Sequence, residues 1–233
     1  MAIFVVAHGA WSAGWAWKKM RPLMRAAGHE FWTPTYTGVG ERAHLANADI
    51  DLDTHIQDVV NVLEFEDLRD VVLVGHSYGG MVATGVADRA RERIAQVIYL
   101  DAFVPEDGKS LSDYLDQNSK NARQSGGDGW RVPPMPMPPD TPQADQDWAM
   151  PRRMPQPAKT LSTPIKLSGQ PLPPRSYIYC KRTAPDDRFG QFAQRAKREG
   201  WGYYELDASH NPHITTQEEL AKLFDRIAKS PPD

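Results

Sequence analysis

The chain has one cysteine, Cys180, in 233 residues, so no intramolecular disulfide can staple it and stability has to come from a packed core. Cys180 ends the apolar run Tyr177-Ile178-Tyr179-Cys180 and reads as a reduced, packed thiol. Long hydrophobic runs are also missing, and no segment approaches the length of a membrane span. Neither Lys nor Arg precedes Ile3-Phe4-Val5-Val6-Ala7, and that run is too short for the apolar region of a signal peptide; the expected location is the cytoplasm. Charge of one sign is not in excess: 27 Lys and Arg face 30 Asp and Glu, for a formal net charge of −3, and no basic stripe is visible. Nucleic acid and acidic membrane surfaces are therefore poor partners. Metal-ligand spacing is absent as well. Asp51, Asp53 and His55 come nearest to it, and a helix cap with solvated charge explains them better. No metal, no organic cofactor and no internal repeat is expected.

With 40% hydrophobic residues, the chain can bury one substantial core. Ile3–Ala7 reads as a buried strand. Met20, Leu23 and Met24 follow at helical spacing and stop at Ala27-Gly28, and a short strand over 29–33 ends at Pro34. Asp53-Thr54-His55 can cap a helix that turns Ile56, Val59, Val60 and Leu63 to one face. The strand Ile94–Leu100, a strand over 176–180, a helix through Phe189, Phe192 and Ala196, a strand over 203–206 and a closing helix over 218–228 complete the pattern. Strands and helices alternate at spacings that suit parallel crossovers, which predicts a doubly wound α/β fold. The pattern fails after Phe103. Between Trp130 and Pro174 lie 13 of the 20 prolines, too many for long helices or central strands. A simple linker would not interleave Trp130, Met135, Met137, Trp148, Met150 and Met154 with them, so residues 106–174 read as a cap, or lid, folded over a site with its apolar residues facing inward. The core then comprises 1–105 and 175–233, one structural domain overall, and the polar stretch 116–129 is expected to be poorly ordered.

The stretch that organises the rest is Val71-Val72-Leu73-Val74-Gly75-His76-Ser77-Tyr78-Gly79-Gly80-Met81. Four apolar residues read as a strand buried on both faces. The chain then passes through Gly75-x-Ser77-x-Gly79 into a helical pattern. Strand, single-residue apex and helix in that order form a nucleophile elbow, which holds a serine hydroxyl clear of the sheet on strained backbone. A serine hydroxyl needs a base to take its proton. In this arrangement the base comes on the loop after the last strand, where His210 is the better candidate; His213 reads as a partly exposed residue of the loop or helix start. A developing oxyanion needs two N–H donors. Tyr78, directly after the serine, offers one, and Ala10, in His8-Gly9-Ala10 after the first strand, offers the other.

His8-Gly9-Ala10 with Trp15-x-Trp17, then Gly75-His76-Ser77-Tyr78-Gly79-Gly80-Met81, then His210 before a closing helix, resembles the α/β-hydrolase superfamily. Within it, the chain is similar to the branch of plant methylesterases, hydroxynitrile lyases and bacterial esterase relatives, closely over 3–105 and more loosely over 176–228. The resemblance implies Ser77 as nucleophile, His210 as base, and the N–H groups of Ala10 and Tyr78 as the oxyanion hole. The lyases of that branch carry a lysine directly after the histidine and a threonine after the first-strand histidine. Asn211 and Gly9 stand there instead, which disfavours cyanohydrin cleavage and favours ester hydrolysis. The family usually places its triad acid just beyond the penultimate strand, where Asp186 and Asp187 reach the spot only if the loop bends back. Some members place it at the end of the strand beside the elbow strand, where Asp101 stands, and this position is favoured. Asp207 sits too close to His210 along the chain. The expectation is a serine hydrolase acting on esters of small apolar or aromatic molecules. Its rivals are a lyase using the same serine and histidine, and a ligand-binding member of the fold without fast chemistry. A small-molecule ester is the expected partner, and nothing in the sequence speaks against a homodimer.

Overall fold

A computed structural model describes residues 1–116, 128–182 and 187–230. The apolar runs become six strands of one sheet: β1 (Ile3–Ala7), β2 (Glu30–Trp32), β3 (Val71–His76), β4 (Ile94–Leu100), β5 (Arg175–Cys180) and β6 (Gly202–Leu206). Their order is β2-β1-β3-β4-β5-β6, and every neighbouring pair is parallel. A parallel sheet needs crossovers that cover both faces, so its strands are apolar on both sides. Side chains alternate accordingly. Val5, Ala7, Leu73, Val97, Tyr99 and Tyr177 pack under helices α2 (Leu52–Phe65), α3 (Gly79–Arg89) and α4 (Gly190–Arg198). Phe4, Val6, Val74, Ile98, Leu100 and Ile178 pack on the other face against α1 (Met20–Ala26) and α5 (Gln217–Lys229). The strand order reverses between β1 and β3, and ligands of such sheets bind at the carboxyl ends of the strands beside a reversal of this kind.

Two local readings are corrected. Helix α2 starts earlier than expected: Asp51 is its cap and Thr54 closes a capping box with it, while Asp53 lies in the first turn and pairs with Arg89. His55 is not part of a solvated cluster but fully buried on the apolar face of α2. Nothing among the described residues groups His, Cys, Asp or Glu as a metal would require.

Between β4 and β5 the chain builds little regular structure, as its prolines dictate. The described part contains a 3-10 turn at Leu111–Tyr114, a helix at Gln143–Ala149, a second 3-10 turn at Met150–Arg152 and a short helix at Lys159–Ser162. Arg131–Val132 and Gln156–Pro157 form an antiparallel ribbon. Most of the polar stretch 116–129 lies outside the described residues. Trp11 ties this segment to the sheet: its backbone N–H donates to Gln156 Oε1 (2.9 Å) and its indole N–H to the Val132 carbonyl (3.0 Å). No described helix is long and apolar enough to cross a membrane.

Candidate active site

Among the described residues, five non-glycine residues have positive φ, and three of them, Trp11 (57°), Ser77 (56°) and Asp101 (42°), follow the carboxyl ends of β1, β3 and β4. Left-handed backbone at such residues costs of order 1–3 kcal/mol each and persists only where the surroundings enforce it. At Ser77 the enforcement is visible. Its N–H donates to the Leu100 carbonyl (3.3 Å), and its own carbonyl accepts from Phe103 N–H (3.1 Å). Gly79 lets α3 sit directly on the end of β1, since a Cβ there would lie 2.0 Å from the Ala7 carbonyl oxygen. At Asp101 the N–H donates to the Ile178 carbonyl of β5 (2.8 Å), so that strand sets its position.

The structure brings Ser77, His210 and Asp101 together. Ser77 Oγ lies 2.9 Å from His210 Nε2, and His210 Nδ1 lies 2.7 Å from Asp101 Oδ2. With a carboxylate as its neighbour, Nδ1 carries the proton, which leaves Nε2 free to accept one from the serine. Asp101 is 2% exposed, and its other oxygen accepts from the Cys180 N–H (3.3 Å). Burial pushes its carboxyl above the ordinary value, opposed by the hydrogen bond from His210. The His210 ring is stacked on Phe189 at 4.7 Å, and its carbonyl accepts from His76 Nε2–H (2.7 Å).

The other acid candidates are elsewhere. Asp187 lines the same cavity but accepts from Tyr179 O–H (2.8 Å) and Gly190 N–H (2.9 Å). Asp207 is exposed and paired with Arg182, and Asp186 lies outside the described residues. His213, expected to be partly exposed, is instead buried at the start of the helix Pro212–Thr215, with its ring stacked on Trp17 at 4.4 Å. Burial pulls its pKa down to about 3, so it stays neutral. Asn211 is buried beside His210 and lines the cavity. Arg42 reaches across to Asp58 on α2 (3.2 Å).

The N–H groups of Ala10 and Tyr78 have no hydrogen-bond acceptor among the described residues. Behind Tyr78 lies a network that the sequence reading missed. His55 donates from Nε2 to the Thr37 carbonyl (3.1 Å) and accepts at Nδ1 from Tyr78 O–H (2.9 Å). Tyr36 stacks between His55 and His8, and His8 donates from Nδ1 to the Gly9 carbonyl (2.9 Å). Burial lowers His55 to about 3 and His8 to about 4, so both are neutral supports. Helical spacing held the signal for His55, because it shares a face with Leu52, Ile56, Val59 and Leu63.

A cavity of about 600 Å³ opens above Ser77 and His210. Its apolar wall includes Trp15, Phe103 and Phe189 from the sheet side, and Met135 and Met137 from the segment between β4 and β5. Trp148, also expected to face inward, instead packs edge-on against Trp15 (5.2 Å), and Met150 is an exposed residue.

Comparison with known proteins agrees with this architecture. The sequence model of the Alpha/beta hydrolase family matches residues 4–223. The chain is 40% identical over 237 residues to the carbendazim hydrolyzing esterase of Nocardioides sp. (strain SG-4G), covering 95% of this chain and 98% of that protein. It is 30% identical over 142 residues to methylesterase 1 of Arabidopsis thaliana, covering 56% of this chain and 51% of the relative. Among solved structures, an extracellular alpha/beta-hydrolase from a Paenibacillus species superposes with a TM-score of 0.86 at 24% identity, over 97% of this chain and 98% of that one, and so shares the fold. The chain belongs to the α/β-hydrolase family.

Proposed function

We propose that this chain is a serine esterase working through an acyl-enzyme, with Ser77 as nucleophile, His210 as general base and Asp101 as the acid of the triad. One observation carries the reading: the unbroken chain of contacts from Ser77 Oγ to His210 Nε2 (2.9 Å) and from His210 Nδ1 to Asp101 Oδ2 (2.7 Å). Ser77 attacks the ester carbonyl as His210 takes its proton, and Asp101 holds the ring and stabilises the imidazolium. The tetrahedral oxyanion is met by the N–H groups of Ala10 and Tyr78, which have no other acceptor among the described residues. His210 then protonates the departing alcohol, and water enters by the same route to release the acid.

Two relatives named for ester cleavage, the carbendazim hydrolyzing esterase and methylesterase 1, support this bond type. The aromatic and methionine wall of the cavity supports a small apolar or aromatic substrate, with residues 106–174 serving as its cap. A neutral Asn211 offers no cation to a departing cyanide, so cyanohydrin cleavage has no support. The free, buried Cys180 fits a reducing location such as the cytoplasm.

Ser77→Ala tests the proposal. Turnover of p-nitrophenyl acetate should fall by about four orders of magnitude or more with an unchanged circular dichroism spectrum. Retained turnover contradicts the mechanism.

A further inference from the structure

Arg153 is a cation of the cavity wall that the mechanism leaves unused. It follows the 3-10 turn Met150–Arg152 and contributes to the cavity wall. Its guanidinium lies over the Trp11 ring at 5.6 Å, and its Nε–H is buried with no hydrogen-bond partner. Among the described residues it has no ion pair. Asp140, a carboxylate on the same wall, is exposed and makes no ion pair with Arg153, and three other charged groups there are engaged. Asp101 is bound to His210, Asp187 accepts from Tyr179 and Gly190, and Arg182 is matched by Asp207. His213 is neutral and adds no second positive charge beside it. Burial pulls Arg153 down to about 10, which still leaves it a cation at neutral pH.

A guanidinium partly withdrawn from water, with its Nε–H buried and no carboxylate beside it, is a costly arrangement, and the ring of Trp11 offsets only part of the cost. Its planar fork matches a carboxylate with two parallel hydrogen bonds. Resting on the esterase reading above, we infer that Arg153 determines specificity by holding a carboxylate carried by the substrate, on the part of the molecule that is not cleaved. The preferred substrates are then monoesters that keep a free acid group, and Trp11, under Arg153 and next to Ala10 in sequence, links that recognition to the oxyanion loop.

Matched esters test this assignment. Monomethyl isophthalate and monomethyl terephthalate carry the anion, and methyl benzoate lacks it. For the wild-type protein, kcat/KM on at least one of the two acids should exceed that on methyl benzoate by tenfold or more. Arg153→Met should reduce this ratio at least tenfold, and Arg153→Lys should keep part of it. If all three esters lose activity together and the ratio stays fixed, Arg153 is merely structural and the assignment is overturned. Calorimetry keeps the test open even if Arg153→Met fails to fold: the wild-type protein should bind benzoate at least tenfold more tightly than benzamide, Arg153→Gln should lose that preference, and equal affinities in the wild type, or a preference unchanged in Arg153→Gln, overturn the assignment. Labelling of Ser77 by a fluorophosphonate separates the two levels. A labelled serine without charge discrimination removes only the role of Arg153, and an unlabelled one removes the esterase reading while the binding comparison still stands.

Discussion

Ser77 and Asp101 are each the first residue past a buried parallel strand, and neighbouring strands hold both at positive φ. Met135, Met137 and Arg153 reach the same cavity from a proline-rich segment whose longest described helix is Gln143–Ala149. The first group is fixed by ladders on either side, through Leu100, Phe103 and Ile178. The second is tied down mainly by side-chain contacts spread along it, at Trp11, Lys19, Asp49 and Asp88. Rigid strand ends suit groups that must meet within hydrogen-bond distance, and irregular chain suits a wall that selects among substrates. Damage to the first region should therefore abolish the reaction, and damage to the second should change its substrates or rate only modestly.

Exchanging carboxylates breaks the comparison most sharply. Asp101→Asn should lower kcat on p-nitrophenyl acetate by about three to four orders of magnitude, because the amide favours the wrong imidazole tautomer. Asp187→Asn, at the more usual position of the acid, should cost less than tenfold. Steady-state kinetics on the two variants checks this, and a reversed order would move the triad acid to the loop after β5.

Acid should weaken the strand-end region specifically. His8, His55, His76 and His213 are buried in the core on which that region is built, with pKa values below the ordinary 6.5, and the described part of the proline-rich segment contains no histidine. Below pH 6.5 the unfolded chain takes up protons that these folded rings refuse, so stability falls as pH falls. At pH 5 the loss is about 2 kcal/mol for His55 and a similar amount for His213. Asp101, raised by burial, acts in the opposite direction but is a single group. The urea midpoint should drop clearly between pH 7 and pH 5, and an unchanged midpoint would mean that these rings are protonated in the fold.

The smallest expected effect is at the junction of the two regions. Gln156→Ala removes the acceptor of the Trp11 N–H, which is buried, and should cost about 1–3 kcal/mol in urea unfolding. It should also lower kcat several-fold through the loop that carries Ala10. A change in stability with no change in kcat would detach the proline-rich segment from the loop that carries Ala10.

The sheet was legible in the sequence because strands buried on both faces are spelled out as apolar runs, and β1 and β4 occur where those runs stand. Ser77 was legible because the turn it occupies demands glycine on both sides. Other features depend on contacts that no local pattern encodes. Which carboxylate meets His210 is decided by β4 lying beside β5, across a separation of 109 residues. Arg42 chose Asp58 over its neighbour Glu41 because α2 presents the carboxylate to Thr37 and Arg42 together. Burial of His213 follows from its stacking on Trp17, a partner nearly two hundred residues away. In the proline-rich segment, periodicity is silent because proline removes it, so apolar composition predicted a wall without saying which residues would form it.

Covalent labelling tests the central claim most directly. After treatment with a fluorophosphonate, intact-mass and peptide spectra of the wild-type protein should show a single adduct on Ser77, and His210→Ala should slow its formation by at least a thousandfold. An adduct on another residue, or one that forms on Ser77 at the same rate without His210, would contradict the account.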